Sequence, residues 1–212
     1  MNNLVKILLN LIIVGAFSGA VLAAVFSVAD PMIQANKEKE LKESIFKVLP
    51  EAKDFKTLEK VLGPEEKVVI YLGVDEARNP VGVAFKADGG GFQGNIGVMV
   101  GLSLDYLKLK NIEILDQLET PGLGDRIREA SFKDQFKGVE VQPKVEYIKY
   151  KKPEKPNQIQ AITGATISSD AVVKNINNAV ARLARAFPKE ELSKVDTSAA
   201  DPAVKPASAE VK

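Results

Sequence analysis

Thr163-Gly-Ala-Thr-Ile-Ser-Ser-Asp170 runs straight into Ala171-Val-Val-Lys-Asn-Ile-Asn-Asn-Ala-Val-Ala-Arg-Leu-Ala-Arg-Ala-Phe187. In the second part Val172, Val173, Ile176, Val180, Leu183 and Phe187 recur every three or four residues, the spacing of one helix face. A helix is therefore expected over residues 170–187, with Ser168, Ser169 and Asp170 as capping or first-turn residues and Pro188 ending it. The first part holds four hydroxyls, a glycine and no charge before Asp170. Two readings of it are open. A helix N-terminus offers unpaired N–H groups and the positive end of a dipole, which suits a phosphate. Gly164 permits close backbone approach and Ala165 adds no bulk, so Thr166 is a candidate phosphate-binding or phosphorylated hydroxyl. Alternatively, the hydroxyls only cap the helix.

Composition narrows the chemistry. The 212 residues include no Cys and no His. That removes thiol nucleophiles, disulfides, thiolate metal sites and Fe–S ligation, along with the commonest general base and haem ligand. Any redox chemistry must come from an organic cofactor. With 29 basic and 28 acidic residues the net charge is +1, so nucleic acid is not an expected partner. There is no Walker loop, and the glycines at 89–91 and 94 lack dinucleotide spacing, so direct NAD binding is not expected. Asp105, Asp116 and Asp125 do not form a metal-ligand spacing. Lys86, Lys108, Lys151 and Lys152 are weighed as phosphate contacts, with ordinary surface lysines as the simpler reading.

Upstream of the helix the chain reads as β structure. Strand-like segments are 67–73, 81–87, 95–102 and 106–115, and alternation returns at 139–150, where Pro143 signals an edge or a break. Residues 131–136 suggest a short helix ended by Gly138, and 151–157 a loop. The expected class is α+β: an N-terminal transmembrane helix, then one antiparallel or mixed sheet with flanking helices.

Ile7 to Ala29 carries no charge. Its 23 residues would extend about 34 Å, enough for a ~30 Å hydrocarbon core with some tilt. Gly15-Ala-Phe-Ser-Gly19 is a small-residue motif for helix packing in lipid. The run exceeds the usual apolar core of a cleaved leader, although Ser27-Val28-Ala29 also resembles a cleavage site. A retained anchor over 1–30 is expected, followed by a charged juxtamembrane helix at 31–50 with Ile33, Leu41, Ile45 and Val48 as its apolar stripe. A folded domain at 51–188 and a disordered tail at 189–212 complete the organisation.

Two motifs together carry a family resemblance. Thr163-Gly-Ala-Thr-Ile-Ser-Ser169 resembles the [S/T]-G-A-T-x-[S/T]-S motif of the FMN-binding domain in the RnfG/RsxG family, the G subunits of Rnf electron-transport complexes. The C subunit of the sodium-pumping NADH:quinone oxidoreductase shares that domain. Glu119-Thr-Pro-Gly-Leu-Gly124 is similar to the segment that lies beside the flavin ring in this family, and Phe132, Phe136 and Gly138 fit its continuation. The likeness covers roughly residues 4–187.

The resemblance implies one FMN per chain, bound covalently through a phosphoester to Thr166, with Thr163, Gly164, Ala165, Ser168 and Ser169 around the phosphate. It places Glu119, Thr120, Gly122, Leu123 and Gly124 beside the ring. Glu119 also reads as a solvated turn carboxylate, and Phe92 as core packing or an aromatic edge. No residue is expected to act as a general acid or base. A flavin transferase would install the FMN from FAD, although Gln160 stands where the family pattern has Asp. The implied function is electron transfer within a ferredoxin:NAD type ion pump of the inner membrane, with a single span, an extracytoplasmic C-terminal domain, and other membrane subunits and lipid as partners. The alternatives are an FMN protein of another respiratory chain, such as sodium-pumping NADH:quinone reductase, or an anchored binding or scaffold protein without flavin.

Overall fold

The structure is a computed structural model and describes residues 3–63, 66–192, 195 and 197. Helix α1 spans Asn3–Val48. The chain divides into two compact units, Met1–Leu41 and Lys42–Lys212. The first is helical, and α1 is long and apolar enough to cross a membrane. The juxtamembrane segment is not a separate helix, because α1 continues through Pro31. Ile33 is exposed, and only the last turns of α1 bury side chains, at Ser44, Ile45 and Val48.

The second unit is built on a five-stranded antiparallel meander in the order β1-β2-β3-β4-β5. The strands are β1 (Asp54–Val61), β2 (Lys67–Val74), β3 (Pro80–Gly90), β4 (Asn95–Leu102) and β5 (Leu109–Gln117). Beyond the sheet come α2 (Ala130–Lys133), continued by a 3-10 turn Asp134–Phe136, and a two-stranded parallel pair of β6 (Glu146–Ile148) and β7 (Gln158–Gln160). Helix α3 (Thr166–Ala186) and a short α4 (Lys189–Leu192) follow.

Side chains alternate across the sheet, and each face has its own cover. Ile70, Leu72, Val83, Phe85, Val98, Val100 and Leu102 share a core with Val172, Ile176 and Leu183 of α3. On the opposite face lie Gly73, Gly82 and Gly101. A Cβ at these positions would run into Leu49, or at Gly101 into the backbone of Val48. The missing side chains let the C-terminal end of α1 lie close against the sheet. Lys133 on α2 bonds Glu113 on β5 at 2.6 Å, tying the short helix to the sheet.

Several local expectations shift. Strand β1 has no counterpart in the sequence pattern; it is an edge strand whose burial is mostly partial. The segment 106–115 forms a strand only from Leu109, because Tyr106 sits in a turn at φ 56°. Of 139–150 only Glu146–Ile148 is strand. Val141 and Val145 still join the core, so the alternation reflects burial without a ladder. Residues 189–192 form α4 and bury Leu192, which occupies part of the expected tail. Most of the remaining tail lies outside the described residues.

Candidate functional site

The register of the meander gathers three connections at one end of the sheet. Gly90 pairs with Asn95 and Ile96 with Gln117, so the β3–β4 loop and the C-terminal end of β5 lie together. Helix α3 packs on β3 and β4 and brings its N-terminus to the same region.

Two tight turns face each other there. In the first, the Leu123 N–H donates to the Thr120 carbonyl at 3.1 Å, with Pro121 and Gly122 as the central residues and Gly122 at φ 73°. In the second, the Ala165 N–H donates to the Ile162 carbonyl at 3.0 Å, with Gly164 as the third residue at φ 87°. A type II turn needs a positive φ at that third position, which favours glycine, and it accepts proline at the second. The turns touch: a Cβ on Gly164 would stand 3.6 Å from Leu123 Cδ2. A Cβ on Gly124 would lie 2.7 Å from Ser168 Oγ and 2.8 Å from Glu119 Oε2. No side chain fits at Gly124 unless the two motifs separate.

Glu119 is the bracket between these parts. It is 4% exposed, so it is not a solvated turn residue. Its Oε1 accepts from the N–H groups of Phe92 at 2.8 Å and Gln93 at 3.2 Å, and its Oε2 accepts from Ser168 Oγ at 2.5 Å. One buried carboxylate therefore joins the β3–β4 loop, the Thr120–Gly124 turn and the first turn of α3. Burying a charge is costly unless donors surround it, and three do so here. A Cβ on Gly91 would collide with the same carboxylate.

Helix α3 starts four residues earlier than the hydrophobic spacing indicates. Its cap is Ala165, without a side-chain capping bond, and Thr166 is the first helical residue. The two serines have roles other than capping. Ser168 binds Glu119, while Ser169 Oγ accepts from the Ile162 N–H and donates to the Ala165 carbonyl, both at 3.0 Å. Ser169 thus closes the turn from below. Thr166 is half-buried, and Thr163 and Gly164 are exposed. The Thr166 hydroxyl makes no hydrogen bond among the described residues, so it is available for modification.

Several apolar side chains of these connections are exposed. Phe92 is 60% exposed and is not core packing, and Leu118, Leu123 and Ile167 are also exposed. Sequence reasoning misses Leu118 and Ile167. Their signal is an aliphatic side chain, directly before the first motif and inside the second, and it is weak in a chain that is 45% hydrophobic. Asp125 Oδ1 is buried without a partner beside Gly124. Lys86 is engaged by Asp88 and Asp116, and Lys108 by Glu140. Among the described residues no cluster of three His, Cys, Asp or Glu side chains could hold a metal ion.

Comparison with known proteins reads the same residues. The FMN-binding domain model matches residues 91–181, a span that holds the β3–β4 loop and both turns. The G subunit of the ion-translocating oxidoreductase complex of Methanosarcina acetivorans is 31% identical over 82% of this chain and 92% of its own length. The chain belongs to this RnfG family. A second member, the G subunit of the proton-translocating ferredoxin:NAD(+) oxidoreductase complex of Clostridium ljungdahlii, is 31% identical over 84% of this chain and 91% of its own. The Acetobacterium woodii RnfG relative, from a complex named as sodium-translocating, is 34% identical over 63% of this chain and 69% of its own. The fold of this RnfG member extends to a more distant protein. The C subunit of the Na(+)-translocating NADH-quinone reductase from Parabacteroides distasonis superposes with a TM-score of 0.51 at 19% identity, covering 68% of this chain and 79% of that one.

Proposed function

We propose that this chain is the flavin-carrying electron-transfer member of a ferredoxin:NAD type ion pump, with one FMN joined to Thr166 by a phosphoester. The observation that carries this reading is the unbonded Thr166 hydroxyl, set at the start of a 21-residue helix where the two glycine turns meet. FMN supplies one- and two-electron chemistry that this chain, without Cys or His, does not contain. Attachment from FAD balances simply: the hydroxyl loses its proton, its oxygen bonds the FMN phosphorus, and AMP leaves. A flavin transferase is the expected catalyst.

The residues divide the work of holding such a group. The first N–H groups of α3 and its dipole favour the phosphate, while Thr163, Gly164 and Ala165 leave the approach open. Ser169 fixes the turn and Ser168 anchors it to Glu119. Thr120, Gly122, Leu123 and Gly124 form the opposing wall, where Leu123 offers an apolar cover and the glycines bring the backbone close. The carboxylate of Glu119 is occupied by its three donors and serves as a positioning residue. Other membrane subunits would exchange electrons with this site, and α1 would anchor the chain in lipid with the folded domain outside the cytoplasm. Flavin fluorescence of the denatured chain from its native host tests the attachment. A fluorescent band is expected for the natural protein and none for Thr166→Ala; an equally fluorescent variant would refute attachment at this residue.

A further inference from the structure

Most lysines of the folded unit lie against a carboxylate, as at Lys60–Glu191, Lys67–Glu59 and Lys174–Asp170. The segment between β6 and β7 departs from this. Residues 149–155 hold four lysines and one glutamate, a charge of +3 in a chain whose net charge is +1. Lys149, Lys151, Lys152 and Lys155 make no ion pair among the described residues, and all four stand exposed. Tyr150 is 77% exposed among them at φ 60°. The ends of the segment are pinned. The Asn157 side chain donates to the Lys144 carbonyl at 2.8 Å, and Gln158 Oε1 accepts from the backbone N–H groups of Glu154 and Lys155 at 3.2 Å.

Its position matters as much as its charge. The Ala161 N–H donates to the Ile148 carbonyl at 2.9 Å. The lysine segment therefore leaves β6 beside the point where the chain enters the turn leading to Thr166. On the reading that Thr166 carries the flavin, any protein exchanging electrons with it must approach this end of the domain. We infer that the loop of residues 149–155 is the docking surface for an acidic face of the redox partner protein in the complex. Unpaired cations at a reaction site raise encounter rates by about 10- to 1,000-fold through steering. An exposed tyrosine supplies rigid contact area of the kind enriched at interfaces. Electron-transfer encounters are small, so one loop is a sufficient share of such a surface.

Lysine acylation footprinting tests this on the full chain. It is applied to native membranes holding the whole complex, and to the full chain alone in nanodiscs of phosphatidylcholine, with and without phosphatidylglycerol. The inference predicts that Lys149, Lys151, Lys152 and Lys155 are protected several-fold in native membranes only, and that the protection is lost at about 1 M salt, where the Debye length is ~3 Å. Equal labelling everywhere would overturn it. Protection in phosphatidylglycerol nanodiscs without partner proteins would assign the loop to lipid and overturn it too. The variant K149Q/K151Q/K152Q/K155Q should slow flavin reduction by NADH added to the membranes about tenfold at low salt and not at all at high salt; an unchanged rate at low salt contradicts the inference. Intact mass of the same samples reports flavin content. A chain without FMN refutes the flavin reading, while the footprint still answers whether a partner covers the loop.

Discussion

Removing the Glu119 carboxylate would leave the Phe92 and Gln93 N–H groups and the Ser168 hydroxyl without their acceptor. Glu119→Ala should therefore cost about 1–3 kcal/mol in denaturant unfolding and lower flavin content. Glu119→Gln can still accept from both N–H groups through its amide oxygen and donate to Ser168, so it should recover most of the stability and flavin content. Equal loss in both variants would show that the charge, and not the bracket, is required. Gly164 poses a different constraint. At φ 87° an alanine incurs about 1–2 kcal/mol of backbone strain, yet its Cβ at 3.6 Å from Leu123 is in ordinary contact. Gly164→Ala should thus lower the unfolding midpoint while the folded fraction still carries flavin, measured as flavin per folded chain. Gly122 and Gly164 are marked by the sequence motifs, but the turns in which they hold a positive φ are not read from the sequence. Nor is the burial of Glu119, because its donors come from residues 92, 93 and 168.

Helix α3 holds the site against the sheet, and its own anchors are testable. Ile176 is fully buried between helix and strands, so Ile176→Ala should destabilise the domain by about 2–5 kcal/mol, read by chemical denaturation, without altering flavin per folded chain. At its other end the Tyr106 hydroxyl donates to the Phe187 carbonyl at 3.0 Å, and burial, with Glu191 nearby, pushes the phenol's pKa well above its ordinary 10.0. Because the folded value is raised, the stabilisation is fully present below pH 10 and is lost as pH climbs through the interval above it. The alkaline decline in stability should be smaller in Tyr106→Phe; an identical decline would place its cause elsewhere. The same elements show where sequence patterns run out. The long amphipathic run of α3 is readable, but its first turn carries too few apolar residues to be counted. Strand β1 is hidden because an edge strand paired only with β2 needs no strong alternation. The Val141 and Val145 alternation marks side chains that plug the core from a loop, which period-two reasoning cannot separate from a strand.

At the scale of the molecule, a long apolar N-terminal helix precedes a domain that presents one hydroxyl between two glycine turns. Membership of the RnfG family makes the chain one component among several. Retention of the anchor has a direct outcome in N-terminal sequencing of membrane-extracted protein: a chain beginning before Ile7 is expected, and one beginning at Asp30 would show removal of the span. The central claim concerns what Thr166 carries, and intact mass spectrometry of the protein extracted from its native membranes tests it most directly. The account predicts a mass greater than that of the polypeptide by one FMN less one water, with the increment lost in Thr166→Ala. An unmodified mass for the natural protein, or an increment that survives in the variant, would contradict it.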